Sequence, residues 1–141
     1  KALQRISKET GVHVVSTTGF IMDSLFPPVA FNSTKEQLVD LFVHDVFESM
    51  DGTDVKAGLI KCGTSIDRMS RTEEKVIRAA AKAHHVTGAT ISTHTMRGTM
   101  AFTQVEVFKS EGVDLSRVII GHMDRNTLNI GYLKLLAKSG V

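Results

Sequence analysis

Four short runs rich in Val, Ile and Thr recur along the chain, separated by longer amphipathic stretches, and this alternation constrains the fold more than any other feature. The runs are His13-Val14-Val15-Ser16-Thr17, Ala57-Gly58-Leu59-Ile60-Lys61, Thr90-Ile91-Ser92-Thr93-His94 and Val118-Ile119-Ile120-Gly121-His122. Their length and β-branched content are those of buried parallel strands. Between them, residues 34 to 50 put Leu38, Leu41, Phe42, Val46 and Phe47 on one helical face, with Ser33 or Thr34 available as cap. A helix over 72 to 86 follows Ser70-Arg71-Thr72-Glu73 and carries Val76, Ile77, Ala80 and Ala83. Residues 99 to 111 carry Met100, Phe102, Val105 and Phe108, and Leu128 to Lys138 carries Ile130, Leu133, Leu135 and Leu136. Lys1 to Thr10 reads as a helix ending at Gly11. The loop from Thr18 to Ser33, with Phe26-Pro27-Pro28, is longer than a simple link, as functional loops often are.

Strand and helix in alternation with short links predict an α/β fold with a parallel sheet. A period of about 30 residues is one βα unit, and it suits an open doubly wound sheet or a slice of an eight-fold barrel. The 141 residues are expected to form one domain spanning 1–141. Hydrophobic content of 42%, charged content of 23% and a formal net charge of +2 with no basic run point away from nucleic acid and membrane surfaces. The single cysteine, Cys62, excludes an internal disulfide or a cysteine zinc cluster and fits a reducing, cytoplasmic setting. No apolar stretch approaches the ~20 residues of a membrane span.

Three of the four runs end on Lys61, His94 and His122. Active sites of α/β sheets lie at the carboxyl ends of the strands, and neighbouring strands stand only ~5 Å apart. Two histidines at matching positions in consecutive units therefore form a candidate metal pair, although a lone strand-end histidine is more often a satisfied rim residue. Lys61 by itself argues against a metal, because an ammonium has three donors and no acceptor. Cys62 should point away from the mouth. Asp124 can orient a ligand or relay a proton, or be a solvated loop carboxylate. Arg125 can contact substrate or begin a helix. Adjacent His84 and His85 face different directions on a helix, and His44 and His13 lie away from strand ends, so structural roles are expected for all four.

Gly58-Leu59-Ile60-Lys61, Thr93-His94-Thr95 and Ile120-Gly121-His122-Met123-Asp124 resemble the phosphotriesterase-like members of the amidohydrolase superfamily. So do Glu9-Thr10-Gly11-Val12-His13, Thr18-Gly19 and Gly112-Val113-Asp114-Leu115-Ser116-Arg117-Val118, in order and over essentially the whole chain. The resemblance implies a TIM (β/α)8 barrel of which this chain covers roughly strands three to six. It implies a small-molecule substrate and two divalent metal ions, zinc by preference. Lys61 would be converted by carbon dioxide to a carbamate that bridges them, and His94 and His122 would bind one metal. Two-metal hydrolysis is then expected, with a hydroxide attacking an ester, lactone or phosphotriester after the metal lowers the pKa of water from 15.7 toward about 7. Lys61 and Asp124 are the expected catalytic residues, with Ile21 and Arg125 at the substrate.

The chain departs from the family's pattern in two ways. No His-x-His occurs in it, so the ligands that the family places on strands one and eight are expected outside it, in a longer enzyme. Many lactonase-type relatives carry an aromatic residue where Ile21 stands, which leaves triester, lactone and other ester or amide substrates open. Four strands without partners would leave open edges, which favours self-association, a homodimer in the simplest case. The alternative function is that of a non-catalytic relative, or an incomplete barrel with a scaffold or binding role. A doubly wound binding domain is poorly supported, because Thr17-Thr18-Gly19 offers one glycine where a phosphate cradle needs several.

Overall fold

A computed structural model describes residues 2–126 and 129–141. Its elements run α1 (Ala2–Thr10), β1 (Thr17–Gly19), α2 (Pro28–Asn32), α3 (Lys35–Phe47), β2 (Leu59–Thr64), α4 (Arg71–Thr87), β3 (Thr90–Thr95), α5 (Ala101–Ser110), β4 (Val118–Ile119) and α6 (Ile130–Ala137). The four strands pair in the order β1-β2-β3-β4, all parallel. The alternation of strand and helix in the sequence is therefore the alternation of the fold.

Local chemistry explains where the helices start. Thr34 accepts from the Gln37 amide, and the Gln37 side chain accepts from the Thr34 amide. Ser70 and Glu73 make the same reciprocal pair at the start of α4. α1 ends at Gly11, whose φ of +72° is the left-handed conformation that glycine adopts cheaply. The proposed start of the last helix at Leu128 lies outside the described residues. Within them α6 begins at Ile130, after Asn129 accepts from the Tyr132 amide.

Strand β3 runs one residue past the sequence reading, to Thr95, and the other three strands differ by more. His13 to Ser16 are outside the ladder, and β1 begins at Thr17 because its partner begins at Leu59. Val14 and Val15 consequently stay exposed. β2 runs three residues past Lys61, since β3 pairs with it along all six positions. β4 stops at Ile119, short of the expected His122. There Gly121 comes so close to β3 that a Cβ on it would stand 2.4 Å from the Thr93 carbonyl oxygen, and His122 turns the chain with φ of +61°.

The sheet has two distinct faces, as strand alternation requires. Ile60, Cys62, Ile91 and Val118 are buried with Leu38 and Phe42 of α3, Val76, Ile77 and Ala80 of α4, and Phe108 of α5. Leu59, Lys61, Ser92 and His94 alternate with these and point the other way, where they are only half-buried. Ile119 on that side is 53% exposed. The helices thus cover one face and leave the other bearing the candidate chemistry. Among the described residues, no helix is long and apolar enough to cross a membrane.

Candidate metal centre

Lys61 lies mid-strand in β2, opposite Ser92 of β3. Its Nζ donates to Ser92 Oγ at 3.2 Å and to the Thr93 carbonyl at 2.9 Å. No carboxylate is among these partners. Burial pushes the ammonium below the ordinary lysine pKa of 10.5, with neighbouring Cys62 opposing in part. Lys61 is therefore easier to deprotonate than a surface lysine.

His94 lies two residues beyond Ser92 on the same side of β3, level with Gly63. Its ring meets the His122 ring edge to face, with centroids 4.7 Å apart and planes at 68°. Strand β3 delivers one imidazole and the turn after β4 delivers the other. His122 reaches this place from a left-handed backbone, uncommon for a residue with a Cβ and a frequent companion of functional geometry. His94 Nε2 is buried and has no hydrogen-bond partner among the described residues. Burial chiefly, then the nearby His122, Lys61 and Arg125, hold His94 below the ordinary histidine pKa of 6.5, against an opposing pull from Glu73. A neutral imidazole with an unengaged ring nitrogen is the form that binds a metal.

The remaining expected site residues fall around this pair. Asp124 and Arg125, both exposed, lie in the turn Met123–Asn126 immediately after His122. Ile21 follows β1, and its carbonyl oxygen lies against the end of β2, where a Cβ on Gly63 would meet it at 2.6 Å. Its side chain is 37% exposed. His94, His122 and Ile21 thus come to the carboxyl end of the sheet, and Lys61 lies two residues below His94 on the same side, level with the ends of β1 and β4. Among the described residues, no three His, Cys, Asp or Glu side chains converge to hold a metal. Two imidazoles are present, with the Lys61 amine on the same side of the sheet.

The other titratable residues lie elsewhere. Cys62 is fully buried in the helix-side core and its thiol is pushed up to about 12 by burial. His84 Nδ1 bonds the Ala89 carbonyl oxygen and His85 Nε2 the Glu111 carbonyl oxygen, which accounts for both as structural groups at the end of α4. His13 is exposed, and His44 is an exposed residue of α3. A cavity of about 620 Å³ lies at the opposite end of the strands, lined in part by Leu3, Val14, Val15, Met50 and Val55, and is remote from the histidines.

Two supporting residues went unrecognised in the sequence. Gln104 of α5 is fully buried, and its amide donates to Thr64 Oγ1 and to the His94 carbonyl oxygen, each at 2.8 Å. It ties the ends of β2 and β3 together beside the histidine. A polar residue inside the apolar stripe of α5 was its available signal. Glu73 is also fully buried and bonds three separate segments. Its capping-box spacing was visible, but its partners from distant loops were not.

Comparison with known proteins places this geometry. The model of the Phosphotriesterase family matches residues 1–141. A Phosphotriesterase homology protein of Escherichia coli (strain K12) is 42% identical over 120 residues, covering 84% of this chain and 41% of that protein. An Aryldialkylphosphatase of Saccharolobus solfataricus is 34% identical over 98% of this chain and 44% of its own length. The crystal structure of the lactonase Lmo2620 from Listeria monocytogenes superposes with a TM-score of 0.93 at 39% identity, covering 99% of this chain and 47% of that one. The chain therefore spans less than half the length of these relatives. Its parallel sheet and helices are part of a TIM-barrel architecture that the relatives share. With the family model matched from end to end and the backbone superposed at that closeness, this chain belongs to the phosphotriesterase family.

Proposed function

We propose that the protein carrying this chain is a metal-dependent hydrolase, with Lys61, His94 and His122 as metal ligands. The observation that carries the reading is the edge-to-face pair of His94 and His122, with a buried His94 nitrogen lacking a partner among the described residues, beside a half-buried Lys61. These residues suit two divalent cations, zinc by preference, because neutral imidazoles and a carbamate are good zinc donors. When bound there, the metals would bring water's pKa toward about 7 and polarise a carbonyl or phosphoryl oxygen.

The chain's own residues prepare that site. Burial favours the free amine of Lys61. Its lone pair can then bond the carbon of carbon dioxide, releasing an amine proton to solvent and moving one C=O pair onto oxygen. The resulting carbamate is anionic, which reverses the objection to a lysine ligand. His94 stays neutral, since burial and the cationic neighbours disfavour its protonation. Asp124 is assigned to orienting a ligand or taking a proton, and Arg125 and Ile21 to contacting substrate. The relatives named as an aryldialkylphosphatase and a lactonase support a phosphotriester, a lactone or another ester as the substrate class.

The test is metal content and turnover of the full protein. Lys61→Ala and His122→Ala should each remove more than half of the bound zinc and abolish hydrolysis of aryl dialkyl phosphates and lactones. Retention of most of the zinc, or intact activity, would sink the reading. A second reading, a non-catalytic relative with a scaffold role, draws on the absence of a three-ligand cluster among the described residues. It requires a full protein that binds no stoichiometric metal.

A further inference from the structure

We propose that Glu73 is a positioning residue for the substrate mouth: its carboxylate clamps the loop after β1 to the loop after β2, fixing Ile21 relative to His94. The Glu73 side chain is fully buried. A capping box needs only that Oε2 accept from the Ser70 amide, which it does at 2.9 Å. Oε1 takes three further donors from outside the helix. These are the Asp23 amide at 3.1 Å, the Ser65 amide at 2.9 Å and Ser65 Oγ at 2.5 Å. Ser70 Oγ closes the ring by donating to Asp23 Oδ1 at 2.8 Å.

A helix cap can be served by a solvated glutamate, so burial here has to be explained by the other bonds. Burying a carboxylate is costly unless its lone pairs are engaged. Asp23 is 50 residues away in sequence, so the clamp joins two loops that have no local reason to meet. The geometry between those loops reaches the metal centre. The Phe20 amide donates to the Lys61 carbonyl oxygen at 2.9 Å, which ties down one end of a short span. The Asp23–Glu73 bond ties down the other. Ile21 and Met22 lie between the two anchors. The Ile21 carbonyl oxygen sits against Gly63, which pairs with His94 in the ladder. Glu73 hydrogen-bonds none of the proposed ligands, and beyond a weak electrostatic pull on His94 its contacts act through the loop.

The kinetic part of this proposal rests on the hydrolase reading, and the structural part does not. Glu73→Gln keeps the size of the side chain but sets an amide donor against backbone donors. Ser65→Ala removes a single bond and is the milder variant. In the full, metal-replete protein, Glu73→Gln should raise KM for lactone or triester about tenfold while kcat stays within about threefold and zinc content is unchanged. Ser65→Ala should raise KM about threefold. Hydrogen exchange at the Asp23 and Ser65 amides should quicken about tenfold or more in Glu73→Gln, with the interior amides of α4 unaffected. A role confined to stability would instead lower Tm and leave KM of the folded variants unchanged, and that result would overturn the proposal. If Glu73→Gln does not fold, an unchanged KM in Ser65→Ala has the same force. If the native protein hydrolyses none of these substrates, the hydrolase reading fails by itself. The exchange rates in Glu73→Gln, or in Ser65→Ala if that alone folds, then decide the clamp, and unchanged protection at Asp23 refutes it.

Discussion

Gly63→Ala puts one methyl group at a crowded point of the proposed site, against both Ile21 and His94. An added Cβ would stand 2.6 Å from the Ile21 carbonyl oxygen, 2.7 Å from His94 Cβ and 2.7 Å from the His94 carbonyl oxygen. Ordinary contact begins near 3.4 Å. Each neighbour would have to retreat by about 0.7 Å, and none is the free end of a flexible side chain. Overpacking of this kind costs ~1–3 kcal/mol, and three rigid neighbours put Gly63→Ala near the upper figure. That is about a hundredfold in the folding equilibrium. The displaced residues include His94, and a shift approaching 1 Å at a reacting centre costs on the order of 10²-fold in rate. Denaturant midpoints with an unchanged m-value would measure the first effect, and kcat/KM of the folded fraction the second. Gly131→Ala is the control, since among the described residues its Cβ would meet nothing nearer than 3.7 Å outside its own helix, and it should be neutral or stabilising by up to about 1 kcal/mol. A Gly63→Ala protein within about 0.5 kcal/mol of the native one, with unaltered kcat/KM, would refute the packing argument.

Three further outcomes are expected. Gln104→Leu strips the buried His94 carbonyl of its donor, so it should cost ~1–3 kcal/mol in denaturant unfolding and weaken zinc binding on the order of tenfold by competitive chelator titration. Cys62, pushed up to about 12, should resist thiol reagents at pH 8 until the chain unfolds. The folded thiol keeps its proton above the ordinary 9.0 while the unfolded one loses it, so this group makes stability fall as pH rises from about 9 toward 12. Phe42→Ala opens a cavity beneath Phe20, whose ring lies 5.8 Å from that of Phe42, and should cost ~3–5 kcal/mol by the same unfolding assay.

The helices were legible because their signals are local. The stripe of Val76, Ile77, Ala80 and Ala83 is fully buried as its spacing required. The strands were legible as runs but not in their limits. Where β1 begins depends on where Leu59 of another strand lies, and β4 ends where Gly121 meets Thr93. Lys61 read as a strand-end residue because Cys62-Gly63-Thr64 lacks a β-branched run; pairing with β3 carries the strand through it.

By itself the sequence determined the order of strands and helices along the chain, the segments that cap α3 and α4, and the placement of His94 and His122 in consecutive βα units. These follow from neighbours a few positions away. Only the tertiary structure decided that His94 and His122 meet edge to face, that a His94 nitrogen is buried without a partner among the described residues, and that Glu73 serves two loops. Desolvation and hydrogen-bond pairing belong to atoms brought together from segments tens of residues apart, and no local pattern records them.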